Sequence, residues 1–218
     1  MLGLLQNYLL QKEEKVESNI LKVEWLLTRK CNLKCSYCQI RRPCSLQGME
    51  LSEQEVYEGV RVINRLFPEV PIIFFGGEPT VLDWLPSLIA FCESLKVKYA
   101  VISNGVRVVA DRNYFERLVK AGISNWSVSV DSLRSLSGLS DVSTDSEVKT
   151  YSGIRSLRMF REAGVKDLVA CITVTNKNIR DIPQIVRVLS SEGVWGITTP
   201  LQRGGMDREY SAFSPDLS

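Results

Sequence analysis

The sequence predicts an α/β protein, a partial (β/α)6 barrel of parallel strands, and three observations predict it. Short apolar runs alternate with amphipathic helical segments from Val23 to Thr198. The runs are apolar at nearly every position, the pattern of strands paired in parallel and covered by helices. Three helical segments end on the same signal, a glycine followed by an apolar residue before the next strand: Gly122-Ile123, Gly164-Val165 and Gly193-Val194.

The first strand is read at Val23–Leu27, ahead of a cysteine-rich loop. Ser52 and Glu55 form a capping box, and Val56, Val60, Ile63 and Phe67 follow at helical spacing. Ile72–Phe75 is the second strand; Leu85, Leu88, Ile89, Cys92 and Leu95 make the next helical stripe. The third strand is Tyr99–Ile102, then Tyr114, Phe115, Leu118 and Val119 on a helix, and the fourth strand is Trp126–Val130. Leu133 to Thr150 is rich in Ser, Asp and Gly and reads as a long loop, of the kind often functional. Ile154, Leu157 and Phe160 mark the fourth helix and Leu168–Val174 the fifth strand. Asp181 and Pro183 open a fifth helix carrying Ile185, Val188 and Leu189, and Val194–Thr198 is the sixth strand.

Residues 21–202 are therefore expected to form one core domain. Residues 1–20 read as an amphipathic helix that caps it, without a secretory leader, and 203–218 as an irregular tail. That tail lacks helical periodicity, so the last helix of the barrel is expected to be missing.

The chain has 218 residues, a net charge of +2 and no histidine. The charge balance carries no basic block for nucleic acid, and no apolar run spans a bilayer. Without histidine there is no Ser-His or Cys-His dyad, no imidazole base and no His-ligated zinc. Six cysteines, three of them within one loop, point to metal binding in a reducing compartment, and so to a cytoplasmic protein.

That loop is Cys31-Asn32-Leu33-Lys34-Cys35-Ser36-Tyr37-Cys38. Three thiolates can hold an iron–sulfur cluster and leave one iron open to a substrate or cofactor. In parallel α/β folds ligands bind at the carboxyl ends of the strands. The unusual residues all fall there: the cysteines after strand one, Gly76-Gly77-Glu78-Pro79 after strand two, Ser103-Asn104-Gly105 after strand three, and Ser129 and Asp131 at the end of strand four.

These motifs, in this order, resemble the radical S-adenosylmethionine (SAM) superfamily, whose core is a partial TIM-like barrel. The resemblance covers roughly residues 22 to 200. It implies that Cys31, Cys35 and Cys38 ligate three irons of a 4Fe-4S cluster and that SAM chelates the fourth. Gly76, Gly77 and Glu78 would meet the ammonium of SAM, Tyr37 its adenine, and Ser129 and Asp131 its ribose or methionyl end, with Pro79, Ser103 and Asn104 also among the SAM-binding residues. Relatives place a glycine and then an arginine after Ser-Val-Asp to meet the SAM carboxylate. This chain has Asp131-Ser132 and a longer loop, leaving Arg134 and Lys149 as candidates.

The implied reaction is reductive cleavage of SAM, driven by an external one-electron donor such as a flavodoxin or ferredoxin. Its product, a 5′-deoxyadenosyl radical, abstracts hydrogen from a small-molecule or peptide substrate, with a lean toward peptide or cofactor maturation. Two readings compete: a module on the same fold that has lost turnover, and a structural zinc module with Cys44 as fourth thiolate. Cys92 and Cys171 read as core, as do Trp25, Trp84, Trp126 and Trp195.

Overall fold

The computed structural model describes residues 20–35, 38, 40, 50–132, 145–174, 178–194 and 196–198. Among them six strands form a single sheet: β1 (Val23–Thr28), β2 (Ile72–Gly76), β3 (Tyr99–Ser103), β4 (Asn125–Ser129), β5 (Asp167–Cys171) and β6 (Gly196–Thr198). They pair in sequence order, each neighbour parallel, with β1 and β6 as the edges among the described residues. Six helices connect them: α1 (Glu53–Leu66), α2 (Leu85–Leu95), α3 (Val106–Ala110), α4 (Arg112–Lys120), α5 (Asp145–Glu162) and α6 (Ile182–Ser191). The arrangement is the partial TIM-like barrel that the alternation predicted.

Local chemistry explains the boundaries. Ser52 and Glu55 form the capping box that opens α1, each side chain taking the other's backbone N–H. Asp111 accepts from the Tyr114 N–H and separates α3 from α4. Gly122, Gly164 and Gly193 adopt left-handed φ values of 87°, 88° and 73° where three helices stop. Asp181 precedes α6 but does not cap it through its side chain; it belongs to a short 3₁₀ turn over Ile179–Asp181, and Pro183 supplies the helix start.

Register divides the strand side chains into two faces. Ile72, Phe74, Val101, Trp126, Val128, Leu168 and Ala170 lie on one face, none of them more than 1% exposed. They form the core with Leu88, Ile89 and Cys92 of α2, Leu118 of α4, Leu157 and Phe160 of α5 and Leu189 of α6. Trp126 donates its indole N–H to Ser156 Oγ at 3.1 Å, so its one polar atom is satisfied inside the core. The opposite face carries Phe75, Ile102, Ser129, Val169 and Cys171, all half-buried, together with the buried Ser127. The sheet is thus dry under its helices and less fully covered on the other face.

Several boundaries differ from expectation: the fifth strand, expected at Leu168–Val174, is Asp167–Cys171, and the sixth, expected at Val194–Thr198, is Gly196–Thr198. Residues 145–150, read as loop, are the first turns of α5, and Val106–Ala110, given no element from the sequence, is helical. This last difference has a visible cause: the Val106 N–H donates to Asn104 Oδ1 at 3.0 Å, which starts the helix. The N-terminal cap at 1–20, except Ile20, the irregular tail at 203–218, the expected loss of the last helix, Cys44 and Trp195 lie outside the described residues.

Candidate functional site

The loop after β1 and the loop after β2 are locked together. The Gly77 N–H donates to the Thr28 carbonyl at 2.7 Å, and the Glu78 N–H to the Lys30 carbonyl at 2.9 Å. A Cβ at Gly76 would lie 2.4 Å from Thr28 O, and one at Gly77 2.2 Å from Lys30 O. The two glycines therefore let one backbone lie directly against another, which no other residue permits here. Cys31 follows Lys30 at once, so the cysteine loop is set by this contact.

Glu78 is 1% exposed and is the centre of a polar network. Its Oε1 accepts from the Thr80 N–H at 3.0 Å, Thr80 Oγ1 at 2.7 Å and Ser103 Oγ at 2.7 Å; its Oε2 accepts from the Asn104 N–H at 2.7 Å. Burial pushes the Glu78 carboxyl upward in pKa, and the four donors recover part of that cost without cancelling it. Pro79, also buried, opens the short turn that aims Thr80 back at the carboxylate. Ser103 additionally accepts from the Gly105 N–H at 3.0 Å. Asn104, 5% exposed, reaches across to the cysteine loop, its Nδ2 donating to Asn32 Oδ1 at 2.7 Å.

Cys31, Cys35 and Cys38 are half-buried and free of disulfides. The Cys38 N–H donates to the Cys35 carbonyl at 3.1 Å, which ties the second and third cysteines together through their backbones. Burial pushes the Cys31 thiol up to about 11; the Leu33 N–H, 3.4 Å from its sulfur, works against this, while Glu78, Cys35 and Cys38 add to it. Three thiols at one strand end are the donor set of an iron–sulfur cluster. Among the described residues no three His, Cys, Asp or Glu side chains converge on the space of a single ion. A cluster that takes one thiolate on each of three irons does not require that convergence.

On the other side of the site, Asp131 leaves β4 buried at 4% exposure and forms an ion pair with Lys149 of α5, itself 7% exposed. Asp131 Oδ1 also accepts from the Thr173 N–H at 2.8 Å, and Asn178 Nδ2 donates to the Asp131 carbonyl at 3.0 Å. Thr150 Oγ1 accepts from the N–H groups of both Asp131 and Ser132, at 3.0 and 3.1 Å. Burial disfavours the Lys149 ammonium, yet the Asp131 carboxylate and then Cys35 and Cys38 outweigh it, and the net shift is upward. That places a positive charge beside the cysteine loop. Ser129, half-buried, pairs in register with Cys171 at the strand ends.

The structure thus brings together Cys31, Cys35, Cys38, Gly76, Gly77, Glu78, Pro79, Ser103 and Asn104 on one side, and Asp131 with Lys149 on the other. Tyr37 and Arg134 lie outside the described residues. Sequence reasoning missed Asn32 and Thr150, and it missed Glu50. Glu50 accepts from Thr28 Oγ1 at 2.6 Å and pairs with Lys30 Nζ at 2.8 Å, with the Arg29 N–H at 3.3 Å. The Lys30 hydrogen bond first, then Thr28, holds its carboxyl below the usual range. Arg29 donates to the Ile40 carbonyl at 2.6 Å, so both ends of the cysteine loop are tied to the end of β1. Nothing in the local pattern marks Glu50; its partners lie about twenty residues earlier.

A family model for the radical SAM superfamily matches residues 25–189. The chain belongs to the radical SAM superfamily. Members of this superfamily bind a 4Fe-4S cluster and SAM. The chain is 32% identical over 179 residues to the Fe-coproporphyrin III synthase of Methanosarcina barkeri, covering 79% of this chain and 41% of that protein. It is 27% identical over 175 residues to the PqqA peptide cyclase of Granulibacter bethesdensis, covering 77% and 43%. The chain therefore spans about two fifths of the length of these relatives. Streptococcus suis SuiB, solved with bound SAM, has the same fold at a TM-score of 0.65 and 20% identity, over 83% of this chain and 40% of SuiB. No helix among the described residues of this radical SAM chain is long and apolar enough to cross a membrane.

Proposed function

We propose that this chain is the core domain, residues 21–202, of a radical SAM enzyme that matures a peptide or a cofactor. The observation that carries the reading is the locking of the cysteine loop to the Gly-Gly-Glu-Pro loop through Thr28 and Lys30. It fixes three thiols and a buried carboxylate at one end of the sheet, beside a half-buried strand face.

When bound, the cluster and SAM together supply reductive carbon–sulfur cleavage and hydrogen abstraction from the substrate. The protein's part is to hold and to shield. Cys31, Cys35 and Cys38 hold the cluster. Gly76 and Gly77 expose backbone to the ammonium of SAM, and the charge of Glu78, held by four donors, favours that cation. Ser103 and Asn104 keep Glu78 in place. Ser129 and Asp131 offer polar contacts to the ribose and methionyl groups, and Tyr37 a ring for the adenine. Lys149, whose charge Asp131 sustains beside the cysteine loop, is the cation for the SAM carboxylate. The electron comes from an external donor of flavodoxin or ferredoxin type, and reduced thiols suit a cytoplasmic setting. The peptide and tetrapyrrole chemistry named for the relatives supports the substrate class.

The test is anaerobic reconstitution with iron and sulfide, addition of SAM and dithionite, and quantification of 5′-deoxyadenosine. The expected result is deoxyadenosine from the wild type and none from the Cys31→Ala, Cys35→Ala, Cys38→Ala variant. A brown protein that forms none would mean that turnover has been lost, and a colourless protein holding zinc would overturn the reading.

A further inference from the structure

We propose that Asn32 and Asn104 are positioning residues for Cys31, joined by a side-chain hydrogen bond that ties the cysteine loop to the buried Glu78 network. The inference rests on the cluster-binding reading above.

The geometry leaves little freedom in the bond. Asn104 is held at its backbone, where its N–H donates to Glu78 Oε2 at 2.7 Å. Its side chain is oriented by the Val106 N–H, which can only donate and so requires Oδ1 on that side. Nδ2 must then face the cysteine loop, where it donates to Asn32 Oδ1 at 2.7 Å. Asn32 adjoins Cys31, whose sulfur is 3.9 Å from the same Oδ1. On the far side of Cys31, Lys30 is fixed through its carbonyl to the Glu78 N–H. Cys31 is thus flanked by two residues, each tied to the segment 78–104, one through a backbone and one through an amide. A ligand thiol clamped on both sides gives up its iron more slowly than one on a loop free to swing.

Asn104→Ser keeps a side-chain oxygen for the Val106 N–H but is too short to reach Asn32. Asn32→Ala removes the acceptor from an exposed loop position. Each single variant, together with the double variant, is reconstituted without SAM, and the loss of iron to a chelator is timed alongside the spin-resonance spectrum of the reduced cluster. The expected result is iron loss about fivefold faster in each single variant, the factor that one ordinary hydrogen bond carries. The double variant is expected to lose iron no faster than the quicker single one, because both remove the same bond. The melting temperature of cluster-free Asn32→Ala should lie within about 4 °C of the wild type's, the size of one lost hydrogen bond, which separates positioning from general stability. Multiplying effects, or variants that release iron at the wild-type rate, would overturn the inference while leaving the cluster reading intact. A wild type that takes up no iron and sulfide would overturn both.

Discussion

Lys149→Met tests the electrostatics of the site most directly. Lys149 and Asp131 form an ion pair whose side chains are 8% and 3% exposed, so water cannot replace a lost partner. Removing one member of such a pair costs about 3–5 kcal/mol, because the remaining charge stays buried. The same size follows from two unit charges near contact at an effective dielectric of 20, about 4 kcal/mol. Asp131 keeps the Thr173 N–H at 2.8 Å, which places the expectation at the lower end of that range. For a chain of 218 residues a loss of about 3 kcal/mol is a fall of about 6–12 °C in melting temperature. The assay is urea unfolding of the cluster-free wild type, Lys149→Met, Asp131→Asn and the double variant, with the slope checked for constancy. The double variant, which buries no charge, should be more stable than Lys149→Met alone. The sign with pH follows from the raised pKa of Lys149. Its contribution is fully present below about pH 10.5 and is lost only as pH rises through the higher value in the folded chain. A loss under about 1 kcal/mol, the size of an exposed pair, would refute the reasoning.

Gly77→Ala puts a Cβ 2.2 Å from the Lys30 carbonyl and must push the two loops apart. A cost of about 1–3 kcal/mol is expected, with reduced iron per chain after reconstitution. Glu78→Gln presents an amide NH₂ to a site built of donors, and urea unfolding should show a loss of about 1.5–3 kcal/mol. Glu50→Gln is milder, about 0.5–1 kcal/mol, because its partner Lys30 is mostly exposed. Since the Glu50 pKa is lowered, its advantage over Gln should hold above about pH 4.5 and vanish as pH falls through the folded value, read from unfolding midpoints across pH. Cys92→Ala, a change confined to the core under α2, should leave iron content at the wild-type level while costing about 1 kcal/mol.

The strands were legible to within one to three residues: Tyr99–Ile102 was expected and Tyr99–Ser103 found, while Leu168–Val174 was expected and Asp167–Cys171 found. Apolar runs and glycine stops act over a few residues, so a linear reading captures them. The start of α5 was not legible, because Ser- and Asp-rich composition suggests loop even where a first helical turn accepts it. Cys31, Cys35, Cys38 and Gly76-Gly77-Glu78-Pro79 stood out because their spacing is itself the signal. Asn32, Glu50 and Thr150 did not, because each matters only through a partner that folding brings to it.

By itself, the sequence determined the order of strands and helices, the thiol spacing and the end of the sheet where the chemistry gathers. All three depend on neighbours along the chain. The tertiary structure decided what the site residues are attached to. It turned Gly76 and Gly77 into a contact between two loops, made Glu78 the acceptor for four donors, and buried Lys149 against Asp131. Asn104 meets Asn32 across 72 residues of chain. The reason is physical: burial and pairing are properties of what surrounds a group, and in a parallel sheet that surrounding comes from adjacent strands separated by a whole helix.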